Sequence, residues 1–391
     1  MSARRSVRSW PGRNGWTGFN SRYGKSTVKD AWDALLDYSE RRMRKGLRDL
    51  PDGVYEAKDF IDDGVNDHPI RVAVKVTIKG DKAIVDLTGS DDQAEGNTNS
   101  TIANTHAAIY YVMIAVVDPH APPNSGCYRP IEVVTRKGSI ADPLPPGAVA
   151  SRTNASAKIA EAMFLALSTA VPERVCGGSH GQITTCGFSG WDPQSGERFI
   201  YTDIQGGGNG GCPGLDGVDG QDSHLPRFMN TPVEAVESRF PIRIDCYEFV
   251  PDTGGAGKFR GSLALRRDIR LLTGPVSFAR YSDRHKIATK GVFGGREGSC
   301  GRITRNPDGA EAQVLKSKGL DMVEEGDVIR LQLPGAGGYG DPLTRDLDAI
   351  DRDLRDGKVT VDAAERGYAV VVDRSNGKID RAATRKKRKA G

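Results

Sequence analysis

Ile70-Arg71-Val72-Ala73-Val74-Lys75-Val76-Thr77-Ile78 alternates apolar residues with positions that water tolerates, the period-2 pattern of a strand with one buried face. Lys79-Gly80-Asp81-Lys82 then reverses the chain into Ala83 to Leu87, which predicts a hairpin. Upstream, Val28, Ala31, Leu35, Tyr38 and Met43 recur at helical spacing, with Ser26 as N-cap and Gly46 as stop. Downstream, apolar helices are expected over Ile102 to Val117 and over Ser156 to Thr169, the second capped by Thr153 or Asn154. Beyond Gly181 come short strands: Gln182 to Phe188, Arg198 to Ile204, Ile242 to Val250, Leu263 to Leu272, Val276 to Tyr281 and Val328 to Leu333. A helix over Asp346 to Arg355 and a strand over Tyr368 to Val372 complete the pattern. Helices and strands are segregated along the chain instead of alternating. That predicts an α+β fold, β-rich, with many short strands and a few buried helices.

The 391 residues suffice for one large or two medium domains, and 48 Gly with 21 Pro suit a turn-rich protein. An irregular segment is expected over 1–21, a folded region over 22–373 with an internal boundary near 180, and a disordered tail over 374–391. The net charge of +4 hides an asymmetry. The tail carries eight basic side chains against Asp380, a net +7, so the rest is slightly acidic and nucleic acid is an unlikely partner. No apolar run approaches the ~20 residues of a membrane span, and Met1 to Trp10 has no apolar core of a secretion signal. The expectation is a cytoplasmic protein. Six dispersed cysteines (127, 176, 186, 212, 246, 300) read as reduced thiols. Six dispersed histidines give no local zinc spacing, so no metal is expected in this chain.

Five stretches hold more Gly, Pro, Asn and Asp than plain turns need. They are Pro122-Pro123-Asn124-Ser125-Gly126-Cys127-Tyr128-Arg129-Pro130-Ile131; Gly138 to Arg152; Gly206-Gly207-Gly208-Asn209-Gly210-Gly211 with Asp216-Gly217 and Asn230 to Glu237; Asp252 to Gly261; and Pro334 to Pro342. In this order they resemble the hydantoinase B family, which includes the matching half of 5-oxoprolinases and related subunits of acetone and acetophenone carboxylases. The resemblance runs from about Arg22 to about Val372. Where the family pattern has a second Gly after Arg-Gly, this chain has Arg260-Gly261-Ser262. Family members start roughly 150 to 200 residues earlier, a domain-scale length, and the metal-holding His and Asp of several relatives fall in that part.

The resemblance implies a subunit of an ATP-dependent cyclic-amide hydrolase acting on a hydantoin, 5-oxoproline or another lactam. ATP and Mg would come through an ATP-binding hydantoinase A-type partner that phosphorylates the amide oxygen. A ketone carboxylase subunit and a non-catalytic shortened member remain alternatives. Such chemistry needs donors around developing negative charge and a positioned water. Gly207, Gly208, Asn209 and Gly210 are candidates for a ligand cradle or for a structural turn. Asn124 and Arg129 are candidates for substrate binding, the alternatives being an Asx-turn and an ion pair. Asp216, Glu234, Glu237 and His180 are the catalytic candidates, with His224 a second possible proton shuttle and Cys127 a remote nucleophile.

Overall fold

The structure, a computed structural model, describes residues 15–62, 67–225 and 229–390. Its elements run α1 (15–23), α2 (Lys25–Arg48), β1 (Gly53–Ile61), β2 (Ile70–Lys79), β3 (Lys82–Asp86), α3 (Ile102–Val117), β4 (Ile131–Val134) and α4 (Arg152–Leu167). Then follow β5 (Thr184–Trp191), β6 (Arg198–Gln205), α5 (Val233–Glu237), β7 (Ile242–Val250), β8 (Ala264–Leu271) and β9 (Val276–Tyr281). Next are β10 (Arg302–Arg305), β11 (Gln313–Leu315), β12 (Lys318–Val323), β13 (Val328–Gln332), α6 (Leu347–Arg355), α7 (Val361–Tyr368), β14 (Val372–Asp373), β15 (Lys378–Ile379) and α8 (Arg381–Ala390). The α+β, strand-rich expectation holds. Among the described residues no helix is long and apolar enough to cross a membrane.

Four sheets form, ordered β1-β2-β3-β4, β11-β10-β13-β8-β7, β12-β9-β5-β6 and β14-β15. The five-stranded sheet and the β5-containing sheet are antiparallel, and their inner faces share one core. Phe188 and Tyr201 from one sheet and Ile269, Leu271 and Leu331 from the other are buried there, and Phe188 stacks on Phe278 at 4.9 Å. This is a sandwich in which alternation along each strand sends every second side chain inward. A smaller core of Ile350, Tyr368, Val370 and Ile379 unites α6, α7 and the β14–β15 pair.

The chain divides into two compact units. The first comprises residues to Gly53, Thr77–Ile84 and Met113–Glu132. In it Arg42 grips Asp118 through two hydrogen bonds of 2.6 and 2.7 Å, fixing α2 to the turn after α3. The second comprises Val54–Val76, Val85–Val112 and Val133–Gly391, and residue 180 lies inside it.

Several boundaries differ from the sequence reading for physical reasons. Ser26 is not the N-cap of α2, because Gly24 occupies that place. Gly46 does not stop α2 either; a Cβ there would sit 2.6 Å from Val117, so the glycine serves close packing inside the helix. Leu35 and Tyr38 of the apolar stripe are exposed, and the buried positions are Ser39, Met43 and Leu47. Thr153 and Asn154 lie within α4 and do not cap it. Tyr368 ends α7, with Ala369 left-handed at its C-cap, instead of opening a strand. Residues 15–23 are helical where an irregular segment was expected, and the rest of that expectation, 1–14, lies outside the described residues. The basic end is not a disordered tail as far as Ala390. It forms α8, seated by buried Thr384 and by Arg388, which donates to the carbonyls of Tyr368 and Arg345 at 3.0 and 2.9 Å.

Candidate active site

α4 is an Ala-rich helix, yet Asn154, Lys158 and Glu161 are buried in it at i, i+4 and i+7. That spacing puts them on one face. Each holds a different point of the segment leading into β5. Asn154 Oδ1 accepts from Ile183 N at 3.1 Å, Lys158 Nζ donates to Gly181 O at 2.7 Å, and Glu161 Oε1 accepts from Ser179 N at 2.9 Å. The helix thereby fixes Ser179 and His180 in place.

Around Glu161 a dense polar cluster forms. Its Oε1 also accepts from the Ser179 hydroxyl and lies 2.7 Å from His224 Nε2. Ser179 Oγ is 3.1 Å from that same nitrogen and receives a 3.0 Å bond from Ser223 Oγ, which in turn is 2.9 Å from His180 Nδ1. His224 stacks on Phe164 at 5.6 Å and meets Tyr111 edge-on at 5.9 Å. Burial alone would raise the Glu161 carboxyl, but His224, Arg284 and Ser179 outweigh it and hold the group at about 2. It is a carboxylate at neutral pH. His180 is fully buried, and that desolvation pushes it down to about 4, so it is a neutral imidazole. A proton on Nδ1, facing Gly208 O and Ser223 Oγ, leaves Nε2 to accept from Gly207 N at 3.3 Å.

A second layer of buried charges backs this cluster. Arg284 binds Asp59 through two bonds of 2.8 and 2.5 Å, and Lys158 pairs with Asp283 at 2.7 Å with both side chains at 0% exposure. Asp283 also accepts from Asp62 N at 2.7 Å. Burial presses the Lys158 ammonium downward, and Asp283 opposes that. Burial acts to raise Asp283, but Lys158 and Lys318 overcome it and hold the carboxyl at about 2. His224 (φ 64°) and Arg284 (φ 62°) both sit in the left-handed region, a conformation that side chains of this size adopt only when their surroundings impose it.

Glu161 is the member of the cluster that borders a cleft. A narrow cleft lined by Lys58, Asp59, Glu161, Phe164, Cys176 and Arg284 has about 20 Å³ of free space, enough for roughly one water. Lys58 also lines a wider groove of about 450 Å³ bordered by Glu56, Arg71, Lys75 and Asp86. That groove has the size of a small-molecule site. Among the described residues no group of three or more His, Cys, Asp and Glu is placed to hold a metal ion.

Of the candidates named from sequence, the structure brings His180, Gly207 and Gly208 together. Gly207 N is spent inside the protein on His180 Nε2, and Gly208 N also faces the His180 ring. Asn209 bonds Gln221 at 3.3 Å, and Gly210 lies against Gly177. Asp216 accepts two bonds from Arg345, at 2.6 and 2.7 Å, and one from Arg260 N at 2.7 Å. Glu234 and Glu237 are exposed on α5, where Glu237 receives Ile244 N at 2.7 Å. In the first unit, Asn124 caps a short turn through Gly126 N and donates to Ser39 at 2.8 Å, while Arg129 pairs with Asp37 and Glu40. Cys127 is buried and donates to Pro122 O at 3.3 Å. The sequence reading missed Glu161, Ser179, Ser223 and the Lys158, Asp283 and Arg284 charges. The signal available was the polar stripe on α4.

Two measurements follow from this geometry. A Cβ at Gly210 would lie 1.9 Å from the Gly177 carbonyl oxygen, backbone against side chain with nothing flexible to yield. Gly210→Ala is therefore expected to lose about 3 kcal/mol or more, read from the denaturant midpoint; a change under about 0.5 kcal/mol would contradict the packing. Glu161 and Asp283 have folded values near 2 against ordinary values of 4.5 and 3.8. Their stabilisation is complete above the ordinary values and is lost as pH falls through them towards 2. Urea unfolding at pH 6, 4 and 3 should show that decline, with a shallower slope in Glu161→Gln.

Comparison with known proteins places this geometry. The Hydantoinase B/oxoprolinase family model matches residues 11–342. The B-type subunit of a putative D-/L-hydantoinase from Pseudomonas sp. (strain NS671) is 34% identical over 383 residues, covering 94% of this chain and 64% of that protein. The crystal structure of an ATP-dependent caprolactamase from Pseudomonas jessenii superposes with a TM-score of 0.86 at 27% identity, covering 97% of this chain and 67% of that one. A nucleotide-free acetone carboxylase structure matches with the same TM-score at 18% identity, covering 97% and 57%, a likeness of fold alone. The chain spans 61 to 65% of the length of three of the curated relatives it matches and 23 to 26% of others. A family model over most of its length, relatives that are the B-type and beta components of hydantoinase and caprolactamase, and a shared fold agree: the chain belongs to the hydantoinase B/oxoprolinase family.

Proposed function

We propose that this chain is the B-type component of an ATP-dependent cyclic-amide hydrolase that opens a hydantoin, 5-oxoproline or other lactam ring. ATP and Mg enter through an ATP-binding hydantoinase A-type subunit, and that subunit activates the amide oxygen by phosphorylation. The observation that carries the reading is the buried Glu161–His224–Ser179 cluster, whose Glu161 lines a cleft, in a chain of this family. An ionised carboxylate bonded to an imidazole can take a proton from a water in the cleft and return it to the departing ring nitrogen. Lys58 and Lys290, exposed at the cleft, supply positive charge for an anionic substrate or its phosphorylated form. The Lys158–Asp283 and Arg284–Asp59 pairs keep the cluster rigid.

The test mixes this chain with the A-type subunit from the same source and follows ATP turnover and ring opening over 5-oxoproline, hydantoins and simple lactams. Ring opening that requires both components is expected. Bicarbonate-dependent carboxylation of a ketone instead would assign the chain to the carboxylase branch. A well-folded chain that forms no complex and supports neither reaction would overturn the proposal in favour of a non-catalytic member.

A further inference from the structure

Two cysteines lie on neighbouring runs of backbone beside the cleft. His180 N bonds Gly208 O at 3.0 Å and Gly177 N bonds Gly211 O at 2.8 Å. Cys176 directly precedes Gly177 and Cys212 directly follows Gly211, so the second bond brings the two cysteines side by side, near enough for Cys212 to act electrostatically on the Cys176 thiol. Gly210, beside that bond, packs so closely that a Cβ would strike the Gly177 backbone, confirming how near the runs are. Directly opposed residues flanking such a bond have Cα atoms about 4.5 to 5.5 Å apart. A disulfide spans roughly 4.4 to 6.8 Å. Both thiols are free, Cys176 open to solvent and Cys212 half-buried. None of the other four cysteines adjoins the Gly177–Gly211 bond.

We propose that Cys176 and Cys212 are a modification site: a dithiol that closes reversibly to a disulfide under a peroxide oxidant. The Cys176 thiolate attacks the O–O bond of hydrogen peroxide, giving a sulfenic acid and releasing hydroxide, which takes up a proton as water. The Cys212 sulfur then attacks the sulfenic sulfur, forming the S–S bond and expelling a second water. In total two thiols and one peroxide give one disulfide and two waters. Because Cys176 lines the cleft and precedes Gly177, Gly178 and Ser179, the bond ties the cleft wall to the glycine-rich loop. Although Cys176 reaches solvent, the protein packed around its sulfur disfavours the thiolate and pushes the thiol up to about 12, and burial raises Cys212 as well. Oxidation is therefore slow at pH 7 and should accelerate about tenfold per pH unit while the thiolate remains the minor form.

The experiment treats the full chain with hydrogen peroxide at pH 7, 8 and 9, quenches with catalase, blocks residual thiols with N-ethylmaleimide and maps peptides without reduction. The expected result is one linked pair joining the Cys176 and Cys212 peptides, forming faster at higher pH and lost on adding dithiothreitol. Cys176→Ser and Cys212→Ser should each abolish it and leave the partner thiol available to the maleimide. Separate maleimide adducts or sulfinic acids at 176 and 212 after exhaustive oxidation would overturn the proposal, as would linkage of either to another cysteine. The readout involves no turnover, so its failure leaves the cyclic-amide reading standing, and the reverse.

Discussion

His224→Asn should lower kcat for the proposed ring opening, assayed together with an A-type subunit, by about 100-fold or more, the usual size of a positioned acid–base contribution. The imidazole stands 2.7 Å from an ionised carboxylate and 3.1 Å from a serine hydroxyl, stacked on Phe164. Asn keeps a polar group of similar reach but cannot carry a proton through the pH range of catalysis. Glu161→Gln should fall by a comparable factor, because a neutral amide cannot stabilise a protonated imidazole. Both variants should keep their affinity for the A-type subunit, measured by co-purification. Equal kcat in His224→Asn and wild type would remove the histidine from the chemistry.

The largest stability effect is expected at Asp283. This carboxylate is fully buried and faces Lys158 at 2.7 Å, with Lys318 at 3.4 Å. Asp283→Asn would leave a buried ammonium without its counter-charge, and breaking such a pair from one side costs about 3 to 5 kcal/mol. Lys158→Met combined with Asp283→Asn removes the stranded charge and should recover part of that loss. The recovery is incomplete, because Lys318 still loses the Asp283 charge and Gly181 O loses its Lys158 donor. Denaturant unfolding of the two single variants and the double gives the coupling directly. Additive losses would show that the two charges act independently.

Much of the fold was legible because its signals are local. The bounds of β2, β7, β9 and α3 follow from alternation or an uninterrupted apolar run, and the observed elements keep those bounds closely. Where the sequence misled, non-local packing had overridden a local rule. Gly46 reads as a stop but is a point of close approach to Val117, and α8 reads as a solvated charge run but is seated by Thr384 and Arg388. The site was legible in part. Glycine richness drew notice to Gly207 and Gly208, and these do surround His180. Glu161 escaped notice because a carboxylate in an Ala-rich helix reads as an ordinary helix residue unless Asn154 and Lys158 are seen to share its face. Arg284 and Asp59 meet across a sequence separation of 225, and no local pattern announces such a pair.

The most direct test of the account separates ATP cleavage from ring opening in a single turnover of the complex carrying Ser179→Ala. Ser179 joins Glu161, His224 and Ser223, so its loss disturbs the cluster directly. The account predicts that ATP is still cleaved while ring-opened product falls by at least about tenfold relative to ATP consumed. If product and ATP cleavage stay coupled at the wild-type ratio and rate, the cluster is scaffolding and the chemistry lies elsewhere.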